Sequence, residues 1–305
     1  MSWFIFTLLC TFSWGLAELF YKKGARPDEK YSHLKIVVTV GFVFGIHAVF
    51  TLLTGDIGFN PKNILIYFPV ALCYILSMAL SYFGMRFIEE SISDPIENTS
   101  GAICALLACI FLGEKIAAGS AIAIVIILIG ILGIGYLDNT GTTDRKKVLG
   151  KKMAIVAFAM PFCYAIIDAV GSFLDIFYLD DVAQSPLIDI TEDTIENVAN
   201  TAYELTFFAV AIVLLIFMKA KKVKFELPKQ RDKILAAVFE TAGQFFYVFA
   251  MSGNGAIAAP IISSVCVVSL LLSRIFLKEK LTRKQYLFLF LVIAGIIILG
   301  IIEGD

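Results

Sequence analysis

The chain has 305 residues, of which 59% are hydrophobic and 17% charged, and its mean hydropathy is +0.86. That balance excludes an ordinary soluble globular domain. A formal net charge of −1, with the basic residues gathered between apolar runs, excludes a nucleic-acid surface.

At about 20 residues per membrane crossing, the apolar runs predict ten spans: 2–21, 34–53, 64–84, 92–112, 118–137, 151–174, 197–218, 232–251, 256–277 and 283–302. The expected fold class is an all-α polytopic membrane protein. The first span places Trp14 and Glu18 on one helical face, at i and i+4. Its basic residues, Lys22, Lys23 and Arg26, follow the apolar run instead of preceding it, so it reads as a retained helix and not a cleaved signal. The second span carries His47, a group able to titrate near neutral pH. The third carries a stripe of Tyr74, Met78 and Tyr82. The fourth opens on Asp94 and Pro95, with Glu97 one turn deeper. The sixth holds Tyr164 and Asp168, again at i and i+4. An acidic loop over about 179–196 follows, without Lys or Arg. Tyr203 and Glu204 sit in the seventh span, and Glu240, Gln244 and Tyr247 share one face of the eighth. The six cysteines all fall within spans and have neither metal nor redox spacing, so no metal site and no cofactor is expected.

Of the 25 basic residues, 22 lie in the alternate loops 21–35, 85–91, 138–152, 219–233 and 278–284. The excess of Lys and Arg on cytoplasmic loops then places both termini outside the cell membrane, the inner or plasma membrane.

The sequence also repeats itself. Pro95, Ile96, Ile110, Phe111, Leu112, Glu114, Lys115 and Gly130 recur at an offset of 165 as Pro260, Ile261, Ile275, Phe276, Leu277, Glu279, Lys280 and Gly295. Tyr82 and Tyr247 obey the same offset, while Trp14 and Glu18 lie over Tyr164 and Asp168 at an offset of 150. The expected halves are 1–143 and 144–305. Five spans in each half is an odd number, so the two copies have opposite orientation across the membrane, as in carriers that alternate access around a central site.

Ten spans, an inverted five-plus-five repeat, the Trp14-Gly15 pair and the doubled Phe111-Leu112-Gly113-Glu114-Lys115 and Phe276-Leu277-Lys278-Glu279-Lys280 units resemble the drug/metabolite transporter superfamily, EamA type. The resemblance covers nearly the whole chain. It implies a secondary transporter with a central cavity lined by the first four helices of each half, the fifth and tenth helices packing the halves together. Tyr164-Ala165 stands where the family often has Trp-Gly, and neither the fourth nor the ninth span has a proline after Pro95 or Pro260.

Charge within a span is costly, which makes intramembrane acids the first candidates for function. Glu18, Glu97, Asp168, Glu204 and Glu240 face a single basic counterpart, Arg274. Carboxylates beside aromatic faces suit an ammonium ion, since cation–π attraction supplies about 0.5–2 kcal/mol per ring. The expected substrate site comprises Trp14, Glu18, Tyr74, Tyr82, Tyr164, Asp168, Tyr203, Glu204, Glu240, Gln244 and Tyr247, with Glu204 and Glu240 at its centre. Glu97, Glu204, Glu240 and His47 are the candidates for proton coupling. The function expected is secondary active transport of a small organic cation, such as an amine or quaternary ammonium ion. The alternative within transport is a neutral or zwitterionic metabolite such as an amino acid, held through Gln244, Asn98 or Ser81. The alternative outside transport is a membrane receptor or scaffold. Phosphate-loop, nucleophile-elbow and zinc-protease signatures are missing, so the chain does not read as an enzyme. The expected partners are a small-molecule substrate, protons and the lipid bilayer, not nucleic acid, and the protein works as a monomer or weak homodimer.

Overall fold

The computed structural model describes residues 3–26, 29, 31–55, 57–84, 95–138, 151–276 and 282–303. Asp94 and the stretch from Leu277 to Leu281, which includes Glu279 and Lys280, lie outside the described residues. Helix α1 is Trp3–Gly24 and α2 is Ser32–Thr54. A single turn, Lys62–Ile66, leads into α3, Phe68–Gly84. Helix α4, Ser100–Leu107, widens into a π turn at Ala108–Leu112 and stops at Gly113, whose φ of 73° is left-handed. Then come α5 (Ala118–Asp138), α6 (Lys151–Leu179), α7 (Ile195–Ala220), α8 (Arg231–Ile262), α9 (Val265–Phe276) and α10 (Arg283–Glu303). Among the described residues, seven helices are long and apolar enough to cross a membrane, and Phe68–Gly84 and Ala118–Ile134 are shorter apolar helices.

One predicted boundary moves. The sixth span was expected to end at 174, but α6 runs on to Leu179. The extension carries a fully buried carboxylate, Asp175, which helical structure tolerates here because Tyr67 and Tyr74 donate hydrogen bonds to it. The gap expected at 252–255 is where one helical stretch gives way to another. The span Arg231–Ile262 is kinked there, with Asn254 (φ −163°, ψ 71°) outside the helical region and a helical stretch on either side of it. The glycines on either side of Asn254 also serve close packing: a Cβ on Gly253 would meet Trp3, and one on Gly255 would meet Ile176. Pro260, placed within the ninth span by the sequence, lies in the helical stretch that follows the kink.

A further interruption comes at Ser263-Ser264, and it has a counterpart at Asn98-Thr99, between the helical residues 95–97 and α4. The two turns are 165 residues apart, the offset of the sequence repeat. Other contacts follow the same offset. A Cβ on Gly130 would meet Val292 and the Phe288 carbonyl, and one on Gly295 would meet Ile127 and the Ala123 carbonyl. These small residues let α5 and α10 lie against each other, as expected of glycine in helix–helix contacts. Helix α1 packs along α8 as α3 packs along α6, α1 meets α9 as α4 meets α6, and α2 pairs with α7.

One end of the bundle is closed by ions. Glu29, between α1 and α2, accepts from Lys35 of α2 and, at 3.0 Å, from Lys233 of α8. Lys233 is buried and also donates to Gln230 at 2.6 Å. Another loop contact ties 179–196 to the α2–α3 connection without basic residues: the Asn63 side chain pairs with the backbone of Ile188, and Asn60 donates to Asp189 at 2.7 Å. Burial pushes the Glu29 carboxyl up, but the bonds from Lys35 and Lys233 outweigh it and hold the group below the usual carboxylate range. A depressed folded-state value contributes stability above the unfolded value, about 4.3 for Glu, and loses it as pH falls through the folded one. Glu29→Gln leaves two lysines without their counterion, and we expect a loss of about 2 kcal/mol at neutral pH, below the range for a fully buried pair. Unfolding of wild type and variant in detergent from neutrality down to acid checks this: the difference should narrow as pH falls through the depressed folded value of Glu29.

Candidate functional site

Helical spacing assembles the site. On α1, Trp14, Glu18 and Tyr21 fall at i, i+4 and i+7, and on α8 so do Glu240, Gln244 and Tyr247, giving each helix one polar and aromatic stripe. Because α1 and α8 pack along each other, the stripes meet. The Trp14 indole stacks on Tyr247, with ring centroids 5.2 Å apart, and its Nε1 donates to the Glu240 carbonyl at 3.3 Å. The Tyr21 hydroxyl donates to the Glu240 carboxylate at 3.3 Å, and its ring lies 4.9 Å from that of Tyr82. From the other half-bundle, Ser81 donates to Glu97 at 2.7 Å and Ser77 to Asp168 at 3.3 Å. The hydroxyls of Tyr74 and Tyr247 meet at 2.6 Å, and Ser172 accepts from Tyr247 at 3.1 Å.

Between these groups lies a cavity of about 130 Å³. Its wall contains Trp14, Glu18, Tyr74, Tyr82, Tyr164, Asp168, Tyr203, Glu240, Gln244 and Tyr247, ten of the eleven residues predicted for the substrate site. Glu97 is there as well, so the wall carries four carboxylates, and among the described residues it includes no Lys, Arg or His. The turns that interrupt the fourth and ninth helical regions also reach it, through Asn98, Ser100 and Gly101 on one side and Ile262, Ser263 and Val265 on the other. Glu240 lies within electrostatic reach of both Glu18 and Asp168.

The eleventh predicted residue, Glu204, is not part of that wall. It is fully buried between α2 and α7, where His47 Nδ1 lies 2.8 Å from its carboxylate and Asn200 donates to it at 3.1 Å. The two proton-coupling candidates Glu204 and His47 are thus brought to each other and not to Glu240. His47→Leu leaves the Glu204 carboxylate with Asn200 as its remaining partner. We expect a loss of about 2–3 kcal/mol, discounted because His47 is partly exposed. The double variant His47→Leu, Glu204→Leu should recover most of it, and a thermal melt of both proteins decides.

Sequence reasoning missed Asp175, Ser172 and Tyr21. Asp175 holds Tyr74 at 2.8 Å and so helps to set the aromatic wall from behind. It lay one residue past the predicted end of its span. Tyr21 sits seven residues after Trp14 on the face already identified, so the spacing could have found it.

The EamA-like transporter family profile matches residues 1–136 and 185–301. One solved protein structure superposes with a TM-score of 0.71 at 11% identity, over 99% of this chain and 97% of that one, which speaks to the fold alone. No curated protein matches the chain. The match spans most of the sequence and agrees with the apolar helices, so the chain is a multi-pass membrane protein belonging to the EamA-like transporter family.

Proposed function

We propose that the protein moves a small organic cation by alternating access, using ten helices in two inverted five-helix units, 1–143 and 144–305. The single observation that carries the substrate class is the wall of the cavity: four carboxylates and a set of aromatic rings, with no Lys, Arg or His among the described lining residues. A cation entering it gains ion pairs and cation–π contacts, whereas an anion meets uncompensated repulsion. Support for the inverted units comes from contacts that recur at the 165-residue offset, including the paired turns and the reciprocal Gly130 and Gly295 approaches. Support for alternating access comes from interrupted helices at the cavity, the usual setting of a carrier's binding site.

Glu240 is the primary counter-ion, oriented by Tyr21, with Trp14 and Tyr247 forming the aromatic face and Gln244 offering hydrogen bonds. Glu18, Glu97 and Asp168 take the role expected of Glu204. Protons compete with the cation for these carboxylates, which gives antiport: release of a proton on one side makes room for cation there. A monomer suffices, since both halves of the site are on one chain. Both termini are outside and the Glu29–Lys35–Lys233 cluster is at the cytoplasmic end. An amino acid substrate would bring a carboxylate to a wall without a basic partner, which weakens the zwitterion alternative.

The test is thermal stabilisation of the purified protein by tetramethylammonium, choline, simple amines and amino acids at two pH values. Stabilisation by the cations, weaker at the lower pH, supports the proposal. Stabilisation by amino acids alone overturns the cation, and no effect of pH on cation binding overturns the coupling.

A further inference from the structure

The cavity wall is not uniformly polar. Its hydrogen bonds divide it into two ends. One end comprises Tyr21, Tyr82, Glu240, Ser81 and Glu97. The other comprises Ser77, Asp168, Tyr74, Tyr247 and Ser172. Two helices contribute to both. On α3, Ser77 serves one end and Ser81 the other, four residues or about 6 Å along the axis. On α8, Glu240 and Tyr247 are seven residues apart, about 10 Å. Trp14, Met78 and Tyr164 line the cavity with aromatic and thioether surface. At the first end the Tyr82 hydroxyl is buried, belongs to the cavity wall and has the Tyr21 side chain beside it, without a hydrogen bond of good geometry among the described residues.

We infer that the substrate is an organic dication, an α,ω-diamine whose ammonium groups occupy the two carboxylate ends while its chain lies along the aromatic wall between them. This rests on the cation reading above and narrows it. One ammonium ion satisfies one end and leaves the other acid end uncompensated. A dication places one positive charge at each end, and its first ammonium group has the Tyr82 oxygen as an additional acceptor. An extended chain advances a little over 1 Å per C–C bond of about 1.5 Å, so about four to six methylenes bridge the ends. Shorter diamines reach one end only, and longer ones must buckle.

The experiment is calorimetric titration of the purified full-length protein with putrescine, cadaverine and hexamethylenediamine, each against the monoamine of the same carbon number. The expected result is that the best diamine binds about tenfold or more tighter than its monoamine, the yield of one further charge-assisted hydrogen bond. Affinity should also pass through an optimum with chain length. Equal binding of diamine and monoamine, or affinity that simply rises with each methylene in both series, overturns the dication and leaves a monovalent cation carrier. Binding of no amine at all overturns the dication together with the cation reading. Asp168→Asn provides a second arm: the diamine-to-monoamine ratio should collapse toward one, and an unchanged ratio overturns the assignment of Asp168 to the second ammonium group.

Discussion

Glu240→Gln should bind organic cations about 10- to 150-fold more weakly than the native protein, and its residual binding should lose most of its dependence on pH. The magnitude is that of one charge-assisted hydrogen bond, about 1.5–3 kcal/mol. Glutamine keeps the shape and an acceptor oxygen for the Tyr21 hydroxyl, which donates to Glu240 at 3.3 Å, so the helix contact between α1 and α8 survives. The backbone carbonyl that receives the Trp14 indole is untouched. What disappears is the negative charge, and with it both the Coulombic partner of the cation and the proton's competing site. Stability in the absence of ligand should hold or rise, because a buried carboxylate near Glu18 and Asp168 is replaced by a neutral group. Titration of tetramethylammonium or choline into both proteins at two pH values measures the effect. Native-like affinity with native-like pH dependence would remove Glu240 from the centre of the site.

The features legible in the sequence were those carried by periodicity and by single side chains. Apolar runs located the helices, and i, i+4, i+7 spacing on α1 and α8 delivered Trp14, Glu18, Glu240, Gln244 and Tyr247 to a common wall. Pairings between distant helices were not legible. Nothing local marks His47 and Glu204, 157 residues apart, as partners, and an acid deep in a span looks the same whether it faces a cavity or a histidine. Asp175 was lost for a related reason: an apolar run is ended, on paper, by a charge, whereas two tyrosine hydroxyls let the helix continue past it. The turns at Asn98-Thr99 and Ser263-Ser264 were hidden because polar, non-proline residues can sit in a helix as readily as break one. The run Ser252-Gly253-Asn254-Gly255 reads as a break, and the chain does kink at Asn254, its glycines also accommodating Trp3 and Ile176.

Gly101→Ala should be the most disruptive single-methyl change near the cavity. A Cβ at Gly101 would stand 2.2 Å from Ser263 Oγ, 2.3 Å from the Ala259 carbonyl oxygen and 2.6 Å from the Ala259 carbonyl carbon. A side chain can swing away, but a helix backbone cannot, so the chain around α4 must retreat from α8. The Gly101 amide, which donates to Ser263 Oγ at 3.0 Å, loses its partner in the process. Overpacking of this kind costs about 1–3 kcal/mol, and the contact with main chain places Gly101→Ala at or above the upper end. The functional loss should exceed what stability alone explains, because Asn98, Ser100 and Ser263 belong to the cavity wall and move with the separation. Ser263→Ala on the Gly101→Ala background removes the hydroxyl but not the Ala259 carbonyl, so it should recover only a minor part of the melting temperature and little cation affinity. Full recovery by that second change would locate the conflict in one side chain and not in the crossing of the two interrupted helices. A Gly101→Ala protein as stable and as competent in cation binding as the native chain would mean that the helices do not meet this closely at all.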